Sequence, residues 1–484
     1  MRLLTFFLSG LSLLVAASSQ AFCGFYVAKA DASLFNNKSE VIIVRDGLRT
    51  TITMSNDFKG NVRDFAMVVP VPAVLAEKDI RVTNRRIFQS LDAYSAPRLV
   101  EYYDHNPCTP VYDQLFSVAE SAPTSTRSLM ADNESLNKKE YKVTIEAQYT
   151  VGEYDILILS AKESNGLKRW LTDNGYKIPA QAEEVLDPYI KSNMKFFVVK
   201  VNMDEFYVNN SEYLSPIQIT FESEKFMLPI RLGMANADGD QDMIVYAFTR
   251  QGRIECTNYR TVKLPSDRNI PLFVQPKFGQ FYKDLFNKEY KHQGRNAVFL
   301  EYAWNVSPNQ GVKCDPCVSP PPIFDDFREA GVTWARDMSA ASNTFFTRLH
   351  VRYSRDKFPE DLLFQNTPNS EHYQCRYVLT HPAQGDFTCD EGQKYLIQLE
   401  KRRKKEVDEL AALTGWNSQK GINYITEFSN RIRTDKRFEG MVPAGPGSGN
   451  GPTGGTWLWL VICTGALAAL TALWLGAKRW LRPA

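Results

Sequence analysis

Apolar and polar positions alternate with a period of two through the first half of the chain. SEVIIVRDGLRTTITMSND reads as two strands joined at Asp46-Gly47, a dipeptide suited to a tight hairpin turn. FAMVVPVPAVL, YKVTIEAQYTVGEYDILILSA, MKFFVVKVNM and MIVYAFTR continue the pattern, so Phe25 to about Lys263 is mostly strand. One stretch changes period: SNGLKRWLTDNGYKIPAQAEEVLDPYIKSN predicts two short helices near 163–192, the first stopping at Gly175 and the second entered through Pro179. Ser117 to Lys139, rich in Ser, Thr and Asn, reads as an exposed loop. From Leu264 the pattern is mixed. FGQFYKDLFNKEY reads as helical or mixed, AVFLEYAW and TRLHVRYS as strands, and CRYVLTHPAQGDFTC as a hairpin. In the last long element, Leu396, Leu399, Val407, Leu410 and Leu413 recur at helical spacing and Gly415 offers a stop. The class is α+β: a β-rich body with helical insertions, divided into a section 22–263 and a section 264–441.

The two ends fix an expected compartment. An apolar run follows Arg2 and exits through Ser19 and Ala21, the small residues that signal peptidase reads, so residues 1–21 form a signal peptide. Cys23 lacks a lipobox, with Gln20 and Phe22 where Leu and a small residue belong. The run Trp457 to Ala477 carries no charge, and as a helix it reaches roughly 30 Å, the thickness of a bilayer's hydrocarbon core. Tryptophans stand at its ends, and Lys478, Arg479 and Arg482 follow it. One C-terminal transmembrane helix (457–477) is expected, with a basic cytoplasmic tail (478–484) and a Gly/Pro linker (442–455) before it. The membrane is therefore one expected partner, with the body outside the cytoplasm.

Composition changes little in that picture. Hydrophobic residues at 44% and charged residues at 23% fit a folded domain, and a net charge of +2 gives no polyanion partner, so nucleic acid is excluded. The basic run Lys401 to Lys405 reads as a solvated helix face. With Cys463 assigned to the span, seven cysteines lie outside, and disulfides are their default state in an exported chain. Cys375 and Cys389 bracket the expected hairpin and form the first candidate pair; Cys23 and Cys108 are further disulfide candidates. Cys314 and Cys317 form CDPC, a redox candidate, but the prolines that follow disfavour the helix that would stabilise an attacking thiolate. A structural disulfide is the leading reading there. A metal half-site drawing on His372, Cys375, His381 or Cys389 matches no standard zinc spacing, so no metal is assigned.

Several long segments resemble the bacterial family catalogued as domain of unknown function 2330: CGFYVAKADASLFN, VRDGLRTTITMSNDFKGNVRDFAMVVPVPAVL, LDAYSAPRLVEYYD, VGEYDILILSAKESNGLKRWLTDNGYKIP, LPIRLGMANADGDQDMIVYAFTR and TRLHVRYSRDKFPEDLLF. The resemblance implies a bacterial, exported, often membrane-anchored protein in which Cys23, Cys108 and CDPC match the family's pattern. It implies no activity. The insert NVSPNQGVK before CDPC and the proline triplet after it depart from the family.

Catalytic signatures are scarce: the chain has no nucleophile elbow, zinc-protease motif, phosphate loop or dinucleotide fingerprint, and neither catalytic residues nor a cofactor are assigned. His350 alternates within TRLHVRYS and reads as a strand side chain rather than a general base. Asp238, Asp240 and Asp242 open like a calcium loop but lack its sixth-position Gly and twelfth-position Glu, and read as a solvated turn. Asp325, Asp326 and Glu329 read as the acidic first turn of a helix DDFREAGVTWARDM. Tyr94, Arg98, Tyr102 and Tyr103 form a candidate contact surface. The leading function is a non-enzymatic, membrane-anchored extracytoplasmic module that binds or organises an envelope protein or ligand. Two enzyme readings stay open: thiol-disulfide exchange through Cys314 and Cys317, and an envelope hydrolase with an unrecognised site.

Overall fold

The computed structural model describes residues 25–26, 35–36, 39–55, 58–59, 66–109, 143–174, 182–208, 214–236, 239–308, 319–417 and 421–432. Among them two sheets dominate. A five-stranded antiparallel sheet runs in the order Phe25–Tyr26, Ala66–Val71, Lys195–Val201, Tyr154–Ala161 and Val143–Val151. A nine-stranded sheet runs in the order Arg260–Lys263, Ala297–Asn305, Phe345–Tyr353, Gln241–Thr249, Ser39–Asp46, Arg49–Ser55, Ile217–Glu222 and Ile80–Val82, with Tyr373–Gln374 paired to Ala297–Asn305. It therefore takes strands from both sides of Leu264, the expected section boundary.

Alternation decides how the layers stack. Val41, Ile43, Val245, Leu349 and Val351 face one way and meet Val69, Ile156, Ile158 and Phe197 of the smaller sheet in a common core. Their neighbours Ile42, Val44, Tyr246, Phe248 and Phe346 face the other way, onto the helices Arg86–Ser95 and Phe324–Ala330. The far side of the five-stranded sheet is covered by the helices Ser164–Asp173 and Ala182–Lys191, through Leu167, Leu171 and Leu186. The order of layers is helix, sheet, sheet, helix. A sheet buried on both faces needs apolar residues at every position, which is why these strands read as near-continuous apolar runs.

The hairpin at Asp46-Gly47 forms as read, with Gly47 at φ +59°, a conformation that glycine adopts without strain. The two short helices, the Phe278–His292 helix and the long helix Asp390–Thr414 also form, the last closed by Gly415 at φ +78°. The expected helix from Asp325 is shorter than DDFREAGVTWARDM. It ends at Ala330, because Gly331 turns left-handed at φ +93°.

The segment after Cys375 is not a hairpin. Arg376–His381 instead pairs in parallel with Arg98–Tyr103, and Cys375, Tyr377 and Leu379 point into a core with Phe281 and Leu285. Cys375 is thus a buried free thiol, and Cys389 is bonded to Cys108. Period-two patterning is shared by antiparallel and parallel strands, so it could not choose between a local partner and one far upstream. Among the described residues no helix is long and apolar enough to cross a membrane. The expected leader, span, linker and tail, the loop Ser117 to Lys139, and Cys23, Cys314 and Cys317 lie outside them.

Candidate functional site

The helix-covered face of the nine-stranded sheet carries two apolar cores, one under Arg86–Ser95 and the other under Phe278–His292. In the seam between them the lining turns ionic. On the Phe345–Tyr353 strand the positions facing this way are Phe346, Arg348, His350 and Arg352, one apolar residue followed by three bases. Gln241–Thr249 supplies Asp242 directly opposite Arg352. Glu301 arrives through an irregularity: the register of Ala297–Asn305 shifts between Leu300 and Tyr302, so Glu301 and Tyr302 both address the helix side.

Around His350 the geometry is closed. Nδ1 lies 2.8 Å from Glu301 Oε1 and Nε2 lies 3.0 Å from Asp242 Oδ1. Carboxylates accept, so both ring nitrogens donate and the ring is an imidazolium. Burial by itself would lower the His350 pKa; the flanking Glu301 and Asp242 outweigh it and the net shift is upward. Glu301 also accepts from Arg348 Nε at 2.5 Å and from the Tyr282 hydroxyl. Burial pushes its carboxyl up, but Arg348 and His350 more than reverse this and hold it at about 2. Asp242 is opposed by burial in the same way and held well below the carboxylate range by His350 and Arg352, the latter in a two-pronged contact at 2.8 Å. The ring of His350 stacks on Phe286 at 3.9 Å. From the helix Arg86–Ser95, Asp92 accepts from Arg348 Nη1 at 2.8 Å and from the Tyr246 hydroxyl at 3.1 Å.

Above these groups opens a cavity of about 390 Å³, walled by Pro97, Ile244, Phe278 and Tyr282 and floored by Asp92, Asp242, Glu301, Arg348 and His350. The His350 imidazolium, with both nitrogens engaged, offers no lone pair for base or nucleophilic catalysis, and among the described residues no Ser or Cys lines the cavity. A larger trough of about 850 Å³ lies between the two sheets. Oδ1 of its buried carboxyl, Asp361, accepts from the Tyr189 hydroxyl at 2.7 Å and from the backbone N–H groups of Ile230 and Arg231.

His350 is the strand side chain it was read as, but an ionic one. Asp242 is no solvated turn residue, since Arg352 and His350 hold it; Asp240 is exposed, and Asp238 lies outside the described residues. Asp326 accepts from the Ile323 N–H at 2.9 Å and Asp325 pairs with Arg328, as an acidic first helical turn should, while Glu329 accepts from the Asn84 N–H. The contact-surface expectation divides. Tyr94 and Arg98 are buried, Tyr94 accepting from the Tyr302 hydroxyl, whereas Tyr102 and Tyr103 are exposed, with Tyr103 stacked on His381 at 4.4 Å. Tyr94 is on the helix face that meets the sheet, and the guanidinium of Arg98 folds back onto its carbonyl, so neither is available to a partner. Among the described residues no cluster of His, Cys, Asp and Glu could hold a metal; His372 stacks on Trp304 instead. Arg348, Glu301, Asp92 and Tyr282 were missed. The available signal was three bases on alternate positions of one strand, which in an enclosed sheet demand acids on its neighbours.

All the cavity residues fall in the stretch 17–365, which matches the family model described as "Uncharacterized protein conserved in bacteria (DUF2330)". No curated protein and no solved structure shows significant similarity to the chain.

Proposed function

Starting from the fact that the chain belongs to the DUF2330 family, we propose that it is a membrane-anchored extracytoplasmic binding module, with the cavity over Arg348 and His350 as its ligand site. The observation that carries this reading is a preformed cavity whose charged floor is already fixed by mutual contacts, with both ring nitrogens of His350 engaged by carboxylates. Buried ion pairs are a weak source of stability, since desolvation offsets most of their attraction. A cluster this large at the base of an opening has a clearer use as a rigid, polar recognition surface. The Cys108–Cys389 bond supports an oxidising compartment. The leader-like run after Arg2 and the uncharged run Trp457 to Ala477 support export and a single tether.

The binding role is tested by incubating the full-length protein in detergent with a small-molecule extract of bacterial cells and identifying retained compounds by mass spectrometry. A compound held by the native chain and released from Asp92→Asn, and recovered unchanged, supports the reading. Chemical conversion of the retained compound would instead make the site an enzyme's. The tether is tested by alkaline carbonate washing of membranes: release of the protein into the wash removes the anchor from the proposal.

A further inference from the structure

The floor of the cavity leaves one strong donor idle. Arg348 is 4% exposed. Its Nε donates to Glu301, and its Nη1 lies 2.8 Å from Asp92 Oδ1, 3.4 Å from Ser95 Oγ and 3.5 Å from the Tyr246 hydroxyl. Its Nη2 has no hydrogen-bond partner among the described residues, and the side chain lines the cavity. A guanidinium this deeply enclosed is costly to leave partly unpaired, so an acceptor oxygen entering from the cavity would complete it.

The charge around that donor restricts what can enter. Among the described residues, Asp92, Asp242 and Glu301 stand against Arg348, His350 and the Arg352 that braces Asp242, three negative charges against three positive. An anion reaching Arg348 would also meet Glu301 and Asp92, and a cation reaching Asp92 would also meet Arg348. A ligand carrying both charges on neighbouring atoms meets neither penalty. Asp92 and Asp242 keep part of their carboxylates exposed, 40% and 31% respectively, and each oxygen can accept more than one donor. The Asp92–Arg348 contact of 2.8 Å sets the guanidinium that carries Nη2 beside a carboxylate, so an ammonium and a carboxylate on one carbon can reach both side chains together.

We propose that this cavity binds a free α-amino acid. Its carboxylate takes Arg348 Nη2, its ammonium lies against Asp92 and Asp242, and its side chain lies along Pro97, Ile244 and Phe278. The inference rests on the binding reading above and names its ligand class.

Titration calorimetry on the full-length protein in detergent tests it, with the standard amino acids, their N-acetyl and methyl ester derivatives, and methylammonium and acetate as probes. The expected result is saturable binding of at least one amino acid, weakened about tenfold or more by acetylation and again by esterification, each of which removes one ionic contact. Asp92→Asn should weaken the same amino acid by a similar factor with an unchanged circular dichroism spectrum. The ligand derivatives need no mutation, so the test survives a variant that fails to fold. Binding of an acetylated or esterified derivative as tightly as the parent overturns the proposal, as does the absence of binding by every amino acid. If methylammonium or acetate alone binds and Asp92→Asn abolishes it, the amino-acid assignment falls while the binding role stands. If no amino acid, single-charge probe or extract compound binds, both fall.

Discussion

Replacing Glu301 with Gln removes one charge and almost no volume, and so isolates what the ionic floor of the cavity contributes. Three donors converge on this carboxylate: His350 Nδ1, Arg348 Nε and the Tyr282 hydroxyl. An amide offers one oxygen and a nitrogen that itself donates, so at least one of the three is left facing an N–H. It also leaves one positive charge of the cluster without its partner in a place where Glu301 is 1% exposed. Breaking a buried pair from one side costs about 3–5 kcal/mol. For a folded body of roughly 400 residues, with about 2.1 cal/mol/K of unfolding entropy per residue, this lowers Tm by about 4–6 °C. The deficit should depend on pH. Glu301 has its folded pKa depressed to about 2, so its contribution is complete above the unfolded value near 4.5 and is lost as pH falls toward 2. His350 has its folded pKa raised, so its contribution is complete below about 6.5 and is lost as pH rises through the folded value. The gap between native protein and variant is therefore widest between about pH 4.5 and 6.5 and narrows on both sides. Thermal melts followed by tryptophan fluorescence across that range measure it. A variant that melts within about 1 °C of the native chain at every pH would refute the reasoning.

Three further outcomes are expected. Non-reducing peptide mapping should recover a Cys108–Cys389 cross-link, and Cys389→Ser should cost about 2–5 kcal/mol; a Cys375–Cys389 peptide would contradict the structure. Cys375, whose burial pushes its thiol up to about 12, and Cys256, also raised by burial, should resist maleimide in the native protein and react after denaturation. Gly331→Ala should destabilise by about 1–3 kcal/mol and Gly415→Ala by less, in a denaturant titration. Both have positive φ, but a Cβ at Gly331 would lie 2.7 Å from Thr51 Cγ2, whereas none at Gly415 meets an atom within 4 Å.

Local pattern carried most of the elements and little of their arrangement. The Ser39–Ser55 hairpin was legible because Asp46-Gly47 fixes a turn between two apolar runs, and the long helix because its leucines repeat over many turns before Gly415. The Arg376–His381 strand was legible as extended chain but not as the neighbour of Arg98–Tyr103, since that pairing depends on residues far upstream. The site failed for a related reason. TRLHVRYS announces alternation, and a polar alternate face ordinarily means solvent. The helix Phe278–His292, which presents Phe286 to His350 and Arg352, and the helix Arg86–Ser95, which presents Asp92 to Arg348, make that face an interior. The shift that turns Glu301 inward has no sequence mark, because a bulge is set by how two strands meet.

The Cys108–Cys389 bond spans 281 residues, and the strands leading to it, Arg98–Tyr103 and Arg376–His381, lie side by side. A chain emerging from its N-terminus must therefore hold its early strands unfinished until nearly all of the body has followed. The Gln241–Thr249 strand, which joins Ser39–Asp46 to Phe345–Tyr353, imposes the same wait at the centre of the larger sheet. Such long-range closure makes assembly slow and leaves strand edges open in the meantime. Cys108 spends that interval as a reactive thiol with its partner not yet delivered, so oxidative maturation of this protein is a race between completing the sheet and capture by a wrong cysteine.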